Sequence, residues 1–354
     1  MLREASLFKT SEKPIFCARY GSGHINQTYL VVDANAREYI LQKINTKVFA
    51  QPQKLMENIQ AVTSHLANSA AHPRNVLQLV PSAAGKKWLQ TEEGGWWRMY
   101  EFVSDSLCLN AADTPEIFRQ SAIAFGTFQR QLTDFDAASL TETIPDFHNT
   151  PVRYTAFNQA VQQDAFGRAA EVQREIEFAL QREEYAATLT RLQGQGALPL
   201  RVTHNDTKLN NVLFDRWSRK ALCVIDLDTV MPGLAANDFG DSIRFGASTA
   251  AEDEQDLNRV SFSLSLYTAY AEGYLQACKA SLTQAEKEHL HDGAIMMTLE
   301  CGVRFLTDYL NGDVYFATHR TGHNLDRCRT QFKLAQEMEH NREKMQSIVL
   351  QQAK

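Results

Sequence analysis

Long apolar runs are missing from this chain. No stretch approaches the roughly 18 consecutive apolar residues of a membrane span, and the opening MLREASLFKTSEK has neither an apolar core nor a small-residue cleavage site. Neither a membrane span nor a secretory leader is expected, and the expected compartment is the cytoplasm. A basic excess is missing too: 36 Lys and Arg stand against 42 Asp and Glu, a net charge of −6, with both signs mixed along the chain. Nucleic acid and anionic membranes both require a concentrated positive face, so neither is an expected partner. No obligate protein partner is evident, and small soluble ligands fit better. The six cysteines (Cys17, Cys108, Cys223, Cys278, Cys301, Cys328) form no Cys-x-x-Cys pair. Several lie in apolar stretches where a reduced thiol simply packs, which leaves zinc and disulfide frameworks without a basis. Internal repeats and low-complexity tracts are also absent.

What is present is ample core material: 354 residues, 44% of them hydrophobic, enough for two lobes. The first hundred residues read as β-rich. Tyr29-Leu30-Val31-Val32 and Tyr39-Ile40-Leu41-Gln42-Lys43-Ile44 flank the polar segment 33–37 as an antiparallel hairpin, and a second hairpin turns at Glu92-Glu93-Gly94-Gly95 into a strand over 96–103. Between them Leu55, Ile59, Val62 and Leu66 recur at helical spacing. The expected order is β-β-α-β-β.

After Ser104 helices dominate. Thr114-Pro115-Glu116 is a helix start, residues 154–193 are largely helical in pattern, and 258–280, 283–311 and 326–351 read as three more helices. A short β segment interrupts them, with strands expected near 201–203, 211–215 and 221–226. The expected fold is α+β and two-lobed: a small β-rich N-lobe over 1–103 and a larger helical C-lobe over 104–354.

The chemistry concentrates in that β segment. His204-Asn205-Asp206-Thr207-Lys208-Leu209-Asn210-Asn211 sets a carboxylate and an amide five positions apart on a loop entering a strand, and an apolar strand delivers Asp226 twenty positions after Asp206. Moving a phosphoryl group needs a carboxylate to orient and deprotonate the attacking hydroxyl, plus oxygen ligands for magnesium. Asp206 fits the first role, and Asn211 and Asp226 the second, with ATP and Mg2+ as the implied cofactors. Upstream, Gly21-Ser22-Gly23 allows backbone amides to approach phosphate oxygens. Lys43, alternating with Tyr39 and Leu41, can point into a cleft toward the α/β-phosphates, and Glu57 is the natural helix carboxylate to hold it. The strand exit Tyr100-Glu101-Phe102-Val103 falls where adenine would pair with backbone at Glu101 and Val103.

The His204, Asp206, Asn211, Ile225 and Asp226 string resembles the H-x-D-x-x-x-x-N loop and I-D segment of the aminoglycoside phosphotransferase and choline kinase superfamily. This resemblance implies a protein-kinase-like fold. Within that superfamily, residues 21–28, Leu41-Gln42-Lys43-Ile44-Asn45 and the run 304–316 are similar to the N-acetylhexosamine 1-kinases. That similarity implies transfer of the ATP γ-phosphoryl group to the anomeric hydroxyl of GlcNAc or GalNAc, with Arg304 and Tyr315 among the sugar ligands. Asp238-Phe239-Gly240 spells a protein-kinase metal motif but lies thirty-two positions after Asp206, where Asp226 already fills the metal place. The resemblance implies that Asp238 braces the catalytic loop, while Asp228 and Asp241 stay open as accessory groups.

Residues alone reach no further than a hydroxyl or amine near Asp206. The mixture of Arg304, Asp308, Tyr309, Asp313 and Tyr315 suits a neutral, hydroxyl-rich ring. A kinase of another small alcohol or amine (choline, an amino acid, an aminoglycoside) and a nucleotide-binding pseudokinase stand as alternatives. A protein-substrate kinase is disfavoured because 227–237 is short for a regulated activation loop and no A-P-E segment follows.

Overall fold

The structure, a computed structural model, describes residues 3–21, 23 and 25–354. Six elements build the N-terminal part: β1 (Pro14–Arg19), β2 (Gln27–Asp33), β3 (Glu38–Lys43), α1 (Pro52–Ser69), β4 (Leu89–Gln90) and β5 (Trp96–Glu101). The strands form one antiparallel sheet in the order β1-β2-β3-β5-β4. Both expected hairpins form, and β1 is an additional strand. It turned up as an edge strand with Ile15 and Phe16 exposed, so it lacks the apolar-polar alternation that marks a half-buried strand.

The two faces of this sheet are covered differently. Ile40 and Tyr100 face α1, packing with Leu55, Met56, Ile59 and Val62. On the opposite face Val31, Tyr39, Leu41, Trp97 and Met99 pack under Ala5, Phe8 and Val80. Alternation therefore sends even-numbered β3 residues toward α1 and odd-numbered ones away from it. The α1 core continues into Phe128, Leu132, Val202 and Val230, so one apolar cluster joins the sheet and its helix to the helical part.

The helical part begins with β6 (Ser106–Cys108) and α2 (Pro115–Gln131), whose N-cap Thr114 accepts from the Ile117 amide. The expected helical stretch after residue 150 is broken into α3 (Thr150–Gln163), α4 (Gln173–Leu180), α5 (Glu183–Ala186) and α6 (Thr188–Gly194). Gly167 at φ 67° and Asp164 at φ 37° turn the chain between α3 and α4. Then come β7 (Arg201–Thr203), β8 (Val212–Asp215), β9 (Ala221–Val224) and β10 (Met231–Gly233), pairing as β6-β8-β9 and β10-β7. Five helices close the chain: α7 (Ala235–Gly246), α8 (Leu264–Cys278), α9 (Gln284–Leu310), α10 (His323–His340) and α11 (Arg342–Gln352).

Helix α7 was not read from the sequence, because its polar side Asn237, Asp238, Asp241, Ser242 and Arg244 is buried against the rest of the fold rather than turned to water as on a surface helix. It packs on α9 closely enough that a Cβ on Gly240 would sit 2.2 Å from the Gly293 carbonyl oxygen. Helix α9 starts in a capping box, where Thr283 Oγ1 accepts from the Glu286 amide at 3.2 Å and Glu286 Oε2 accepts from the Thr283 amide at 2.7 Å. No helix among the described residues is long and apolar enough to cross a membrane.

Candidate active site

Two short loops meet between the lobes. The first, 204–211, runs from the end of β7 into β8; the second, 225–229, follows β9. His204 is fully buried against Phe125 and Phe128, and its Nε2 donates to the Ile225 carbonyl at 2.9 Å. Thr229 Oγ1 donates to the His204 carbonyl at 2.6 Å, and Asn205 Nδ2 donates to the Thr229 carbonyl at 2.9 Å. Asn205 at φ 63° and Asp226 at φ 61° occupy the left-handed region that non-glycine residues seldom adopt. Such backbone persists where surrounding bonds enforce it.

Buried carboxylates of α7 hold the first loop from below. Asp238 Oδ2 and Oδ1 accept from the His204 and Asn205 amides, each at 2.8 Å, and Asp241 Oδ2 accepts from the Thr207 amide at 2.9 Å. Asp238 is thus spent on backbone, at a position where it braces the loop. Asp241 is also paired with Arg244 at 3.0 Å.

On this scaffold Asp206 reaches the cleft. Asn211 Nδ2 donates to the Asp206 Oδ2 at 3.0 Å and to its carbonyl at 2.8 Å, and the Asn211 Oδ1 accepts no hydrogen bond among the described residues. Lys208 Nζ lies 3.1 Å from Asp206 Oδ2. Burial pulls the Lys208 pKa down, but the charges of Asp206, Asp241 and Asp226 outweigh it and leave it raised. Asp226 accepts no side-chain hydrogen bond among the described residues, and its carboxylate opens to the cleft. Enclosure by the cleft walls, then the charges of Asp228 and Asp206, push its pKa up to about 6 against the pull of Arg98 and His204. An unbonded carboxylate beside negative neighbours, with an amide oxygen close by, is a donor set suited to a hard cation arriving with phosphate oxygens. No three His, Cys, Asp or Glu side chains among the described residues form a preformed metal cage.

Two expected nucleotide residues are placed elsewhere. Lys43 shares the odd-numbered β3 face with Tyr39 and Leu41, away from α1, and its ammonium lies 5.6 Å from the Trp97 ring. Glu57 is bonded to Gln53 Nε2 and Lys54 Nζ, each at 2.9 Å, on the outer side of α1. Lys43 follows strand parity onto the face that holds Tyr39 and Leu41, which the N-terminal segment covers, whereas on α1 the buried side is taken by Leu55, Met56, Ile59 and Val62 and Glu57 is left part-exposed. The β3 side chain turned toward the cleft is Gln42, and its cross-strand neighbour is Arg98. Gly21, at φ 73°, and Gly23 lie in the turn joining β1 to β2, with open space where a Cβ would project. Ser22 falls outside the described residues. Glu101 ends β5 and is exposed, and Val103 follows in the connection to β6.

Beneath Asp206 lies a second group. His148 contacts the Asn205 carbonyl through Nε2 at 3.3 Å and Glu300 Oε1 through Nδ1 at 2.9 Å. Glu300 also accepts from Thr150 Oγ1 at 2.6 Å. One helical turn along α9, the Arg304 guanidinium lies 5.7, 5.9 and 5.4 Å from the ring centres of Phe147, Tyr315 and Phe316. Tyr315 is 69% exposed. Asp308 is unavailable to a ligand, because it accepts from the Val314, Tyr315 and Phe316 amides and from Asn324. Asp313 is likewise taken, by Arg168 and Asn324.

Lys208, Gln42, Arg98, His148 and Glu300 were missed by reading the sequence. Lys208 could have been found from its place two residues after Asp206, and Arg98 from being the one cation inside the aromatic strand 96–102. Nothing local marks His148 or Glu300.

Among solved structures, a microcompartment-associated aminopropanol kinase is 16% identical with a TM-score of 0.67, over 97% of each chain. An amicoumacin kinase in complex with AMP-PNP, Ca2+ and Ami is 14% identical with a TM-score of 0.63, over 96% of this chain and 92% of that one. The Plasmodium vivax ethanolamine kinase is 15% identical with a TM-score of 0.54, over 88% of this chain and 80% of that one. These likenesses establish the two-lobed protein-kinase-like fold. The description "phosphotransferase enzyme family" (APH) matches residues 17–275, from within β1 to within α8, and the chain belongs to that family.

Proposed function

We propose that this protein is an ATP-dependent small-molecule kinase that phosphorylates the anomeric hydroxyl of an N-acetylhexosamine. The observation carrying the kinase reading is the convergence of Asp206, Asn211 and Asp226 on one open cleft. Asp206 orients the acceptor hydroxyl and takes its proton as the new oxygen–phosphorus bond forms and the bond to the ADP oxygen breaks. Asn211 Oδ1 and Asp226 would hold magnesium, which when bound supplies charge neutralisation at the phosphate oxygens. Lys208, held at Asp206, adds positive charge where the transferred group passes. The glycine turn at Gly21 and Gly23 covers the phosphates with backbone amides, and Glu101 and Val103 offer backbone groups to adenine. This assignment makes residues 1–103 the nucleotide lobe and 104–354 the catalytic and acceptor lobe.

The acceptor reading rests on Arg304. An aromatic group of the kind that binds quaternary ammonium is present in Phe147, Tyr315 and Phe316, but the Arg304 guanidinium already lies among the rings. Arg153 stands close by, its pKa lowered by burial and then by the Arg304 charge. Two arginines disfavour choline, ethanolamine or an aminoglycoside and favour a neutral ring whose hydroxyl or acetamido oxygens accept hydrogen bonds. Tyr315, exposed beside Arg304, supplies a ring face and a hydroxyl. Phosphorus NMR of products from ATP, Mg2+ and a panel of GlcNAc, GalNAc, glucose, galactose, choline and kanamycin tests this. A sugar 1-phosphate signal is expected. Phosphocholine or phosphokanamycin alone would overturn the acceptor assignment, and no transfer to any of them would move the weight to another small alcohol or to a pseudokinase.

A further inference from the structure

With Lys43 and Glu57 both turned away, the cleft face of the N-terminal sheet needs another cation if it is to meet phosphate. We propose that Arg98 on β5 is that cation, binding the α- and β-phosphates of ATP, with Asp228 holding it in position when no nucleotide is bound.

The case rests on geometry. Arg98 is directly across the strand pair from Gln42, on the face that looks toward α1 and the metal loop. It therefore stands one strand over from the cleft-facing β3 site, where a kinase lysine would stand. It is 1% exposed, and the Tyr100 ring lies 5.4 Å from its guanidinium carbon. Its Nε donates to Gln42 Oε1 at 2.8 Å and its Nη1 donates to Asp228 Oδ1. Nη2 donates to no group among the described residues, so part of the five-donor fork remains for a ligand. Asp228 is two positions after Asp226, which brings the guanidinium to the edge of the proposed metal site.

Asp228, left open by the sequence, thereby has an assignment. It is 4% exposed, and both of its oxygens are taken, one by Arg98 and the other by Asn26 Nδ2. Asn26 follows the glycine turn and also accepts, through Oδ1, from the Asn45 amide at 2.9 Å. One network thus joins the start of β2 just after the glycine turn, β3, β5 and the metal loop, the segments around the expected phosphates. A forked, permanently charged guanidinium matches two phosphate oxygens better than an ammonium does, and it needs no partner helix to stay charged.

The inference rests on the kinase reading, and a binding experiment separates the two. Calorimetry would measure AMP-PNP with Mg2+, and adenosine alone, against wild type, Arg98→Met and Arg98→Lys, plus the double variant Arg98→Met with Asp228→Asn, which removes the buried pair together if the single change does not fold. Wild type is expected to bind AMP-PNP. Arg98→Met, or the double variant, is expected to lose affinity for it roughly 10- to 100-fold while adenosine affinity stays within about twofold, and Arg98→Lys is expected to recover part of the loss. AMP-PNP binding that is unchanged in folded Arg98→Met overturns the assignment, as does an equal loss for AMP-PNP and adenosine, which marks a structural strut. If wild type binds no AMP-PNP at all, it is the kinase reading that fails.

Discussion

His204 and Ile225 are joined by a 2.9 Å hydrogen bond from the histidine Nε2 to the isoleucine carbonyl, so the loop carrying Asp206 and the strand end carrying Asp226 move as one body. Positioning at this precision matters because a misplacement of about 1 Å can cost roughly 100-fold in rate. Replacing His204 by Leu keeps the bulk but leaves the Ile225 carbonyl unpaired. The expected stability loss is about 1–3 kcal/mol, seen in chemical denaturation, and kcat should fall more than the acceptor KM changes. A variant with full stability and full kcat would show that the link is dispensable.

Asp206→Asn preserves shape and removes the proton acceptor. We expect kcat to fall roughly 10²- to 10⁴-fold with nucleotide affinity retained. Near-normal turnover would assign the base elsewhere.

Asp226→Ala and Asp238→Ala should separate cleanly, although both are aspartates near the same loop. The first is expected to abolish Mg2+-dependent turnover and weaken Mg2+-dependent AMP-PNP binding in a stable protein. The second strands the His204 and Asn205 amides, at roughly 1–3 kcal/mol for each buried donor, and is expected to show first as a lowered melting temperature. If Asp238→Ala stayed fully stable and lost only metal dependence, the two roles would have to be exchanged.

Arg304→Ala is expected to raise KM for the sugar acceptor about tenfold or more while leaving the ATP KM within about twofold. Emptying the rings of Phe147, Tyr315 and Phe316 of their cation should also let choline bind measurably, which isothermal titration would detect. No change in either ligand would remove Arg304 from the acceptor site.

Glu300 gives a pH signature. Burial raises its pKa, yet the charge and hydrogen bond of His148, with Arg304 and Thr150, outweigh this and hold it below the ordinary glutamate value of 4.5. A depressed carboxyl stabilises the fold fully above that unfolded value and loses the contribution as pH falls through the folded one. The melting temperature of wild type should therefore exceed that of Glu300→Gln at pH 7, with the gap closing below about pH 4.5. A gap that widens on acidification would reverse the sign of the argument.

Much of this was legible in the linear chain because the catalytic loop is local. Five positions separate Asp206 from Asn211, and an apolar strand of ordinary length brings Asp226 back, so spacing alone marks the residues of the proposed site. Hairpin turns and the helix cap at Thr114 are equally short-range and were read correctly. Long-range packing supplied the rest. Strand parity groups Tyr39, Leu41 and Lys43 on one face of β3, but both faces of this sheet are covered by apolar layers, α1 on one side and residues 3–8 with Val80 on the other. Hydrophobicity cannot tell such faces apart, and so the cleft-facing pair, Gln42 and Arg98, emerged from the assembled sheet. The same holds for Asp228, Asp238 and Asp308, whose partners lie on other segments: a carboxylate in sequence looks the same whether it awaits a ligand or is already committed to the backbone amides that shape the site.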